Sequence, residues 1–210
     1  MRLYHSPMGI SLACRLALAA ADVDHELVIV NSRTGETKQE PFLSINPLGE
    51  VPVLECDGTI LGQTVAILTF ISDRTGGVWT RASGLDRAKA LSIAVIAAVE
   101  VQSAWKMINR PSRYVDSEAG CSEVVGHARA RLDAAYGEVD RQLGLQGDST
   151  ELGILEYYLC VFALWKVMAP AGKGLSSTPR LDAVKERVMR VTKLRQVIDE
   201  DIASYTALTS

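Results

Sequence analysis

The sequence has no long basic run and no long hydrophobic segment. Lys plus Arg number 22 against 25 Asp plus Glu, a net charge of −3, which argues against a general surface for nucleic-acid phosphates. The longest nearly apolar stretch, residues 93–99 with its flanks, is far short of the roughly 20 residues that span a bilayer. The first residues contain no apolar signal core. We therefore expect neither a nucleic-acid partner nor a membrane partner.

Several chemical signatures are also missing. The sequence contains no phosphate-binding loop, no dinucleotide-binding glycine motif and no nucleophile elbow. Its three histidines lack metal-ligand spacing, so no metal site is expected. The four cysteines form no C-x-x-C pair and lie far apart, at Cys14, Cys56, Cys121 and Cys160. This spacing predicts reduced thiols, mostly small core residues, and a cytoplasmic location for a chain of 210 residues.

The first eighty residues have a mixed α and β pattern. A short first strand, a helix at 11–21 and an apolar run at 27–30 predict a βαβ unit with parallel strands. The apolar run indicates a strand that is buried on both faces. Two further strands flank the hairpin signal Asp57-Gly58, and an amphipathic helix follows them. The order βαβ and then ββα predicts an α/β, thioredoxin-like domain.

Beyond this domain the strand signals vanish. The periodicity predicts helices at 85–107, 123–143, 153–168 and, as one long or two shorter helices, 179–207. Gly153 is a permissible N-cap with Glu156 at the third helical position. We therefore divide the chain into three parts: an α/β domain at 1–76, a linker at 77–84 and an all-helical domain at 85–210.

One helical segment stands out by its composition. Residues 91–99 are apolar almost all the way round the predicted helix. Such a helix has to be covered on several sides, either by its own bundle alone or by its bundle together with a second subunit.

Three features of the first domain carry a chemical signal. Val51-Pro52 starts a strand; a cis bond would free the Val51 backbone for an extended ligand, and a plain trans proline is an equal alternative. Gln63-Thr64 precedes a helix, and is either a carboxylate site or a simple cap. Ser11 enters the first helix, either as an N-cap or as a hydroxyl that stabilises an anion such as a thiolate.

Four stretches carry a family resemblance: RLYHSP at residues 2–7, NPLGEVPVL at 46–54, Asp57-Gly58 followed by Gln63-Thr64 and Ala66-Ile67, and Ile154-Leu155-Glu156. The chain thereby resembles the cytosolic glutathione S-transferases, and its pattern is nearest to the bacterial beta class. The match covers nearly the whole chain, and N-P-x-G-x-V-P-x-L is its most specific part. The resemblance implies a thioredoxin-like domain followed by an all-α domain. It also implies glutathione as co-substrate and a homodimer with its sites at the subunit interface.

The resemblance implies a role for particular residues as well. Val51-Pro52 would hold the cysteinyl backbone of glutathione as a cis-proline pair, and Gln63 and Thr64 would take its γ-glutamyl end. The remaining contacts implied are Arg33 or Lys38 with the glycine carboxylate, and Glu100 with the glutathione of the neighbouring subunit.

Two positions depart from the beta-class pattern. Ile10 stands where these enzymes carry a cysteine, and Gln102 stands where they carry a histidine. A mixed disulfide between the protein and glutathione is therefore impossible at position 10. Ser11 becomes the candidate catalytic residue, because a helix dipole and one hydroxyl hydrogen bond lower the pKa of a bound thiol.

The second substrate would lie between the domains. Candidates for the wall of this hydrophobic substrate site are Ile10, Gln102, Trp105, Tyr114 and Trp165, although aromatic residues at helical spacing are more often core. We predict a detoxifying glutathione transferase that activates the thiol of glutathione for attack on a small hydrophobic electrophile. The alternatives are a glutathione-dependent lyase, ether-cleaving or thiol-exchange enzyme, and a non-catalytic ligand-binding protein on the same fold.

Overall fold

The computed structural model describes residues 1–76, 84–146 and 152–209. Most of the predicted linker, residues 77–83, lies outside this described part. The strands are β1 (Arg2–His5), β2 (Glu26–Ile29), β3 (Val53–Cys56) and β4 (Thr59–Gly62). The helices are α1 (Leu12–Ala20), α2 (Phe42–Ile45), α3 (Thr64–Thr75), α4 (Leu85–Ile96), α5 (Gln102–Asn109), α6 (Glu118–Leu145), α7 (Ile154–Met168), α8 (Pro179–Arg190) and α9 (Thr192–Thr209).

The four strands form one mixed sheet in the order β2-β1-β3-β4. β1 pairs in parallel with β2 and antiparallel with β3, and β3 pairs antiparallel with β4. Asp57 and Gly58 connect β3 to β4 with positive φ angles of 51° and 76°, as a two-residue hairpin requires. This is a thioredoxin-like arrangement, as the order of the predicted elements indicated.

The prediction that the second strand is buried on both faces is wrong. β2 is an edge strand with exposed ends, and Ile29 is 44% exposed. The strand pairs with β1 on one side, and its other side has no partner strand among the described residues. A continuous apolar run cannot distinguish these cases, because periodicity carries no information on where a strand lies in its sheet.

The second half is helical, and its core is α7. Residues 154–164 of this helix are all buried, and they pack against α1, α4 and α8. Gly153 N–H donates to Glu156 Oε2 at 2.9 Å, which confirms the predicted start of the helix. The final segment consists of two helices, α8 and α9, and α9 lies against α1 of the first domain.

A 25-residue helical stretch, Leu85–Asn109, forms one wall between the domains. It contains α4, a π-helical turn (Ala97–Val101) and α5. Its mean hydropathy reaches 1.4, so by length and composition it could cross a membrane. The apolar run at residues 93–99, considered by itself, did not indicate this. A single helix of this kind is weak support for a membrane span, because core helices have the same properties. Leu85 is exposed at its start, and three further exposed apolar residues lie one turn apart, at Leu91, Val95 and Val99.

Candidate functional site

A cavity of about 390 Å³ lies between the first domain and the Leu85–Asn109 stretch. One wall comes from the loop before β3 and the start of α3: Asn46, Glu50, Val51, Pro52, Gln63, Thr64 and Val65. The other comes from the helical domain: Val95, Ala98, Val99, Gln102, Ser103, Lys106 and Tyr158. The cavity therefore brings together residues from both domains, with polar groups at intervals along an apolar lining.

The first wall contains the two pairs that the sequence singled out. The Val51-Pro52 peptide bond is cis, which decides between the two alternatives for this proline. Asn46 Nδ2 donates to the Glu50 carbonyl at 2.6 Å and ties together the loop that presents Val51. Val51 is only partly buried at the cavity, so an extended ligand can reach it.

The N-terminus of α3 points at the same cavity. Gln63 precedes the helix with φ +69° and makes no side-chain capping hydrogen bond. A left-handed conformation in a residue other than glycine costs of order 1–3 kcal/mol and is found most often at binding sites. The first backbone N–H groups of a helix have no partner inside it and favour an anion. With the Thr64 hydroxyl beside them, they form a ready site for a carboxylate.

The opposite wall supplies a cation and two neutral polar groups. Gln102, Ser103 and Lys106 share one face of α5 at the cavity. Lys106 Nζ donates to both Glu50 carboxylate oxygens at 2.9 Å, and so it joins the helical domain to the loop before Val51. Both side chains are about two-fifths exposed, and the pair is therefore accessible to a ligand.

Ser11 is not among the residues that line this cavity. Its side chain is fully buried, and its Oγ lies 2.8 Å from His5 Nδ1. His5 Nε2 lies 2.7 Å from Asp201 Oδ1, and the Asp201 carboxylate also accepts hydrogen bonds from Arg15 and from the Met8 N–H. The three side chains form a buried Ser–His–Asp chain between β1, α1 and α9.

The charge states of His5 and Asp201 decide whether Ser11 donates or accepts the hydrogen bond between Ser11 and His5. Burial lowers the pKa of His5, which keeps its ring neutral near pH 7. Burial by itself would raise the pKa of Asp201, but the hydrogen bonds from His5 and from the Met8 N–H, together with the charge of Arg15, lower it on balance. A neutral His5 has one ring proton, and that proton belongs on Nε2, facing the carboxylate. Nδ1 therefore accepts the hydrogen bond that the Ser11 hydroxyl donates.

Three residues predicted to contact glutathione, Arg33, Lys38 and Glu100, do not line the cavity. Lys38 Nζ donates to the Leu48 carbonyl at 2.6 Å, beside the loop that holds Val51. Arg33 instead bonds the Tyr205 hydroxyl on α9, with its guanidinium carbon 4.8 Å from the ring centre. Glu100 forms an ion pair with Arg131 at 2.7 Å on the outer surface of the helical domain.

The predicted aromatic wall is only partly where it was expected. Trp105 is 2% exposed and donates to the Tyr136 hydroxyl inside the helical core, away from the cavity. Trp165 faces the first domain and donates to the Met8 carbonyl at 2.8 Å. Tyr114 follows a 3-10 turn and is 51% exposed, and Ile10 is buried in the core. Gln102 alone of the five lines the cavity.

Sequence reasoning missed several lining residues. Lys106 could have been found, because it lies four residues after Gln102 and so shares its helix face. Glu50 stands within the NPLGEVPVL stretch, although nothing in the pattern indicates its ion pair. Tyr158 had no sequence signal. Its hydroxyl is buried with no hydrogen-bond partner among the described residues, and burial raises its pKa. The position of Asp201 next to His5 was also unpredictable from a separation of 196 residues.

Comparisons with known proteins agree with this geometry. Residues 1–73 match the family described as Glutathione S-transferase, N-terminal domain. A glutathione S-transferase of Xanthomonas campestris is 31% identical over 195 residues, covering 90% of this chain and 93% of the relative.

Solved structures show the same fold. A beta-class glutathione S-transferase of Sphingomonas chungbukensis is 25% identical with a TM-score of 0.73, over 96% of this chain and 98% of that one. A glutathione transferase homologue of Sulfitobacter, solved with bound glutathione, has a TM-score of 0.82 at 23% identity, over 95% and 97% of the two chains. Since the Xanthomonas relative is similar over almost the whole length of both proteins, this chain belongs to the glutathione S-transferase family.

Proposed function

We propose that the chain binds glutathione in the interdomain cavity and transfers its sulfur to an electrophilic carbon. The observation that carries this proposal is the meeting of three features in one cavity: the partly exposed backbone of Val51, the uncapped N-terminus of α3, and the polar face of α5. A tripeptide thiol with a carboxylate at each end needs these groups: an extended edge for its backbone and a positive end for a carboxylate.

The roles proposed for individual residues follow from this layout. Val51 pairs with the cysteinyl backbone, while Gln63, Thr64 and the first N–H groups of α3 hold the γ-glutamyl carboxylate. Of the two candidates for the glycine carboxylate, Lys38 is the better placed, because it lies beside the Val51 loop and Arg33 stacks on α9. Transfer joins the glutathione sulfur to carbon, expels the leaving group and releases the thiol proton to solvent.

Binding of glutathione tests the proposal directly. In isothermal titration calorimetry the wild-type chain is expected to bind glutathione, and Thr64→Val is expected to bind about 10- to 100-fold more weakly. The reason is that a hydrogen bond to a charged group contributes about 1.5–3 kcal/mol. Thr59→Val, an exposed threonine on β4, is the matched control and should leave the affinity unchanged. No binding by the wild-type chain, or equal affinity in both variants, would contradict the assignment.

Ser11 is the residue that the sequence suggests as donor to the glutathione thiolate, whereas its burial and its bond to His5 favour a structural role. Its substitution separates the two roles. Ser11→Ala removes the hydroxyl that bonds His5, and is expected to lower the free energy of unfolding by about 1 kcal/mol. A role in catalysis predicts in addition that the pKa of the bound thiol rises by roughly one to two units, measured from thiolate absorbance. Lower stability with an unchanged thiol pKa would assign Ser11 to the buried chain alone.

We also propose a cytoplasmic homodimer that acts on small hydrophobic electrophiles in a detoxifying role. The support for the dimer is the exposed apolar row Leu91, Val95 and Val99 along α4 and the following turn, at 38%, 45% and 51% exposure. In such a dimer the partner would cover Leu91 and border the cavity at Val95 and Val99, and Glu100 beside this row would approach the neighbouring site. Ile10, in place of a cysteine, favours transfer over thiol exchange, because the chain supplies no thiol there.

A further inference from the structure

Three arginines, Arg33, Arg110 and Arg113, lie beyond the Lys106 end of the cavity. Arg110 follows α5 and is one helical turn past Lys106, and Arg113 ends the next 3-10 turn. Arg110 Nη2 reaches across to the first domain and donates to the Ser32 carbonyl at 2.9 Å. Ser32 in turn bonds Ser6 in the loop after β1. This arginine cluster therefore lies where the two domains meet, one helical turn past Lys106.

The cluster carries more positive charge than its surroundings neutralise. Within the described residues, none of its three guanidinium groups has a carboxylate at ion-pair distance; Arg33 and Arg110 bond a hydroxyl and a carbonyl. The nearby carboxylate that acts on Arg110, Glu50, is already bound through both oxygens to Lys106. Burial and the charges of Arg113 and Arg33 lower the pKa of Arg110. Like charges that lie close together in a partly buried position repel one another, and an anion that binds between them reduces this repulsion.

We propose that the arginine cluster binds an anionic group, a carboxylate, on the electrophile that receives the sulfur. This inference rests on the proposed transferase function and specifies its substrate class: an apolar body with an acidic substituent. The apolar part would lie along the cavity lining, and the carboxylate would extend past Lys106 to the guanidinium groups. Arginine suits this task because its planar fork can form two parallel hydrogen bonds to one carboxylate.

A matched pair of electrophiles tests the proposal. 4-Chloro-3-nitrobenzoate and 4-chloro-3-nitrobenzamide undergo the same substitution, in which a carbon–sulfur bond forms and chloride leaves, but the first carries a charge. Wild-type kcat/KM is expected to be at least about tenfold higher for the acid, and this preference should shrink as salt is raised. Arg113→Gln, at an exposed position, should reduce the acid-to-amide ratio about tenfold, and Arg110→Gln should do so at least as strongly.

The control variant and a second measurement separate the possible outcomes. Arg190→Gln removes the same charge from the exposed end of α8 and should leave the ratio unchanged. Equal kcat/KM for the acid and the amide in the wild-type chain would overturn the proposal. So would an Arg113→Gln variant whose KM for glutathione rises equally with both electrophiles, because the cluster would then hold glutathione's own carboxylate.

Direct binding keeps the inference testable if no transfer occurs. Titration calorimetry of the benzoate and of the benzamide, with and without glutathione, measures the anion site without any reaction. Tighter binding of the benzoate, lost in Arg113→Gln, supports the arginine cluster even where the transferase assignment fails. Equal affinities for the two compounds contradict the cluster while leaving the glutathione site untouched.

Discussion

Replacing Asp201 by asparagine is expected to cost about 3–5 kcal/mol of unfolding free energy, because one partner of a buried charge network is removed. The Asp201 carboxylate is fully buried and accepts hydrogen bonds from His5, Arg15 and the Met8 N–H. An asparagine keeps one acceptor oxygen, and its amide nitrogen, a donor, would face at least one of these donating groups. Arg15, whose side chain is 11% exposed, would keep its charge without a buried counter-charge.

Urea unfolding of the purified protein measures this loss, and α9 itself supplies the control. Asp199→Asn makes the same chemical change two residues earlier, at a carboxylate that is 58% exposed and 3.6 Å from Arg195. Exposed pairs of this kind contribute about 0–1 kcal/mol, so the midpoint of this variant should hardly move. Similar losses in both variants would show that the buried network does not hold α9 against the first domain.

Gly49→Ala is the second substitution with a large expected effect. Gly49 has φ +58°, and a Cβ there would lie 2.4 Å from the Thr37 carbonyl oxygen and 2.8 Å from the Lys38 side chain. The left-handed conformation costs about 1–2 kcal/mol for alanine, and overpacking against backbone adds about 1–3 kcal/mol. Because Gly49 stands two residues before Val51, any shift of the loop also reaches the proposed glutathione site.

Gly35→Ala isolates the conformational part of this effect. Gly35 also has a positive φ, +85°, but apart from its own chain neighbours no atom of the described residues lies within 4 Å of its added Cβ. We expect Gly49→Ala to lose at least about 1 kcal/mol more than Gly35→Ala in urea unfolding. In calorimetry with glutathione, only Gly49→Ala should bind about tenfold more weakly. Equal losses of stability and unchanged affinity in the two variants would show that the clash is relieved without moving the Val51 loop.

The two walls of the cavity illustrate why the site was only partly predictable. The sequence singled out Val51, Gln63 and Thr64, and all three line the cavity. Each belongs to a local pattern, a strand-start proline or a helix start, whose geometry follows from neighbouring residues. Lys106, Arg110 and Arg113 come from the helical domain, and only packing of the two domains brings Lys106 to Glu50.

Ser11 is a residue whose position in the fold was predicted correctly but whose hydrogen-bond partners were not. Its position at the start of α1 agrees with the prediction, since the helix begins at Leu12. Its partners do not follow from that position, because His5 is on β1 and Asp201 is on α9, 190 residues further along the chain than Ser11. The hydroxyl that sequence reasoning assigned to a thiolate is therefore bonded to a neutral imidazole in this structure.

By itself the sequence determined the order of elements, the thioredoxin-like first domain, the helical second domain and the hairpin at Asp57-Gly58. These are decided within a few residues of the chain, by turn chemistry and by hydrophobic periodicity. Only the tertiary structure decided that β2 is an edge strand, that Trp105 lies in the core, and that three arginines gather past Lys106. Each of these depends on which distant segments pack together, and neither composition nor periodicity contains that information.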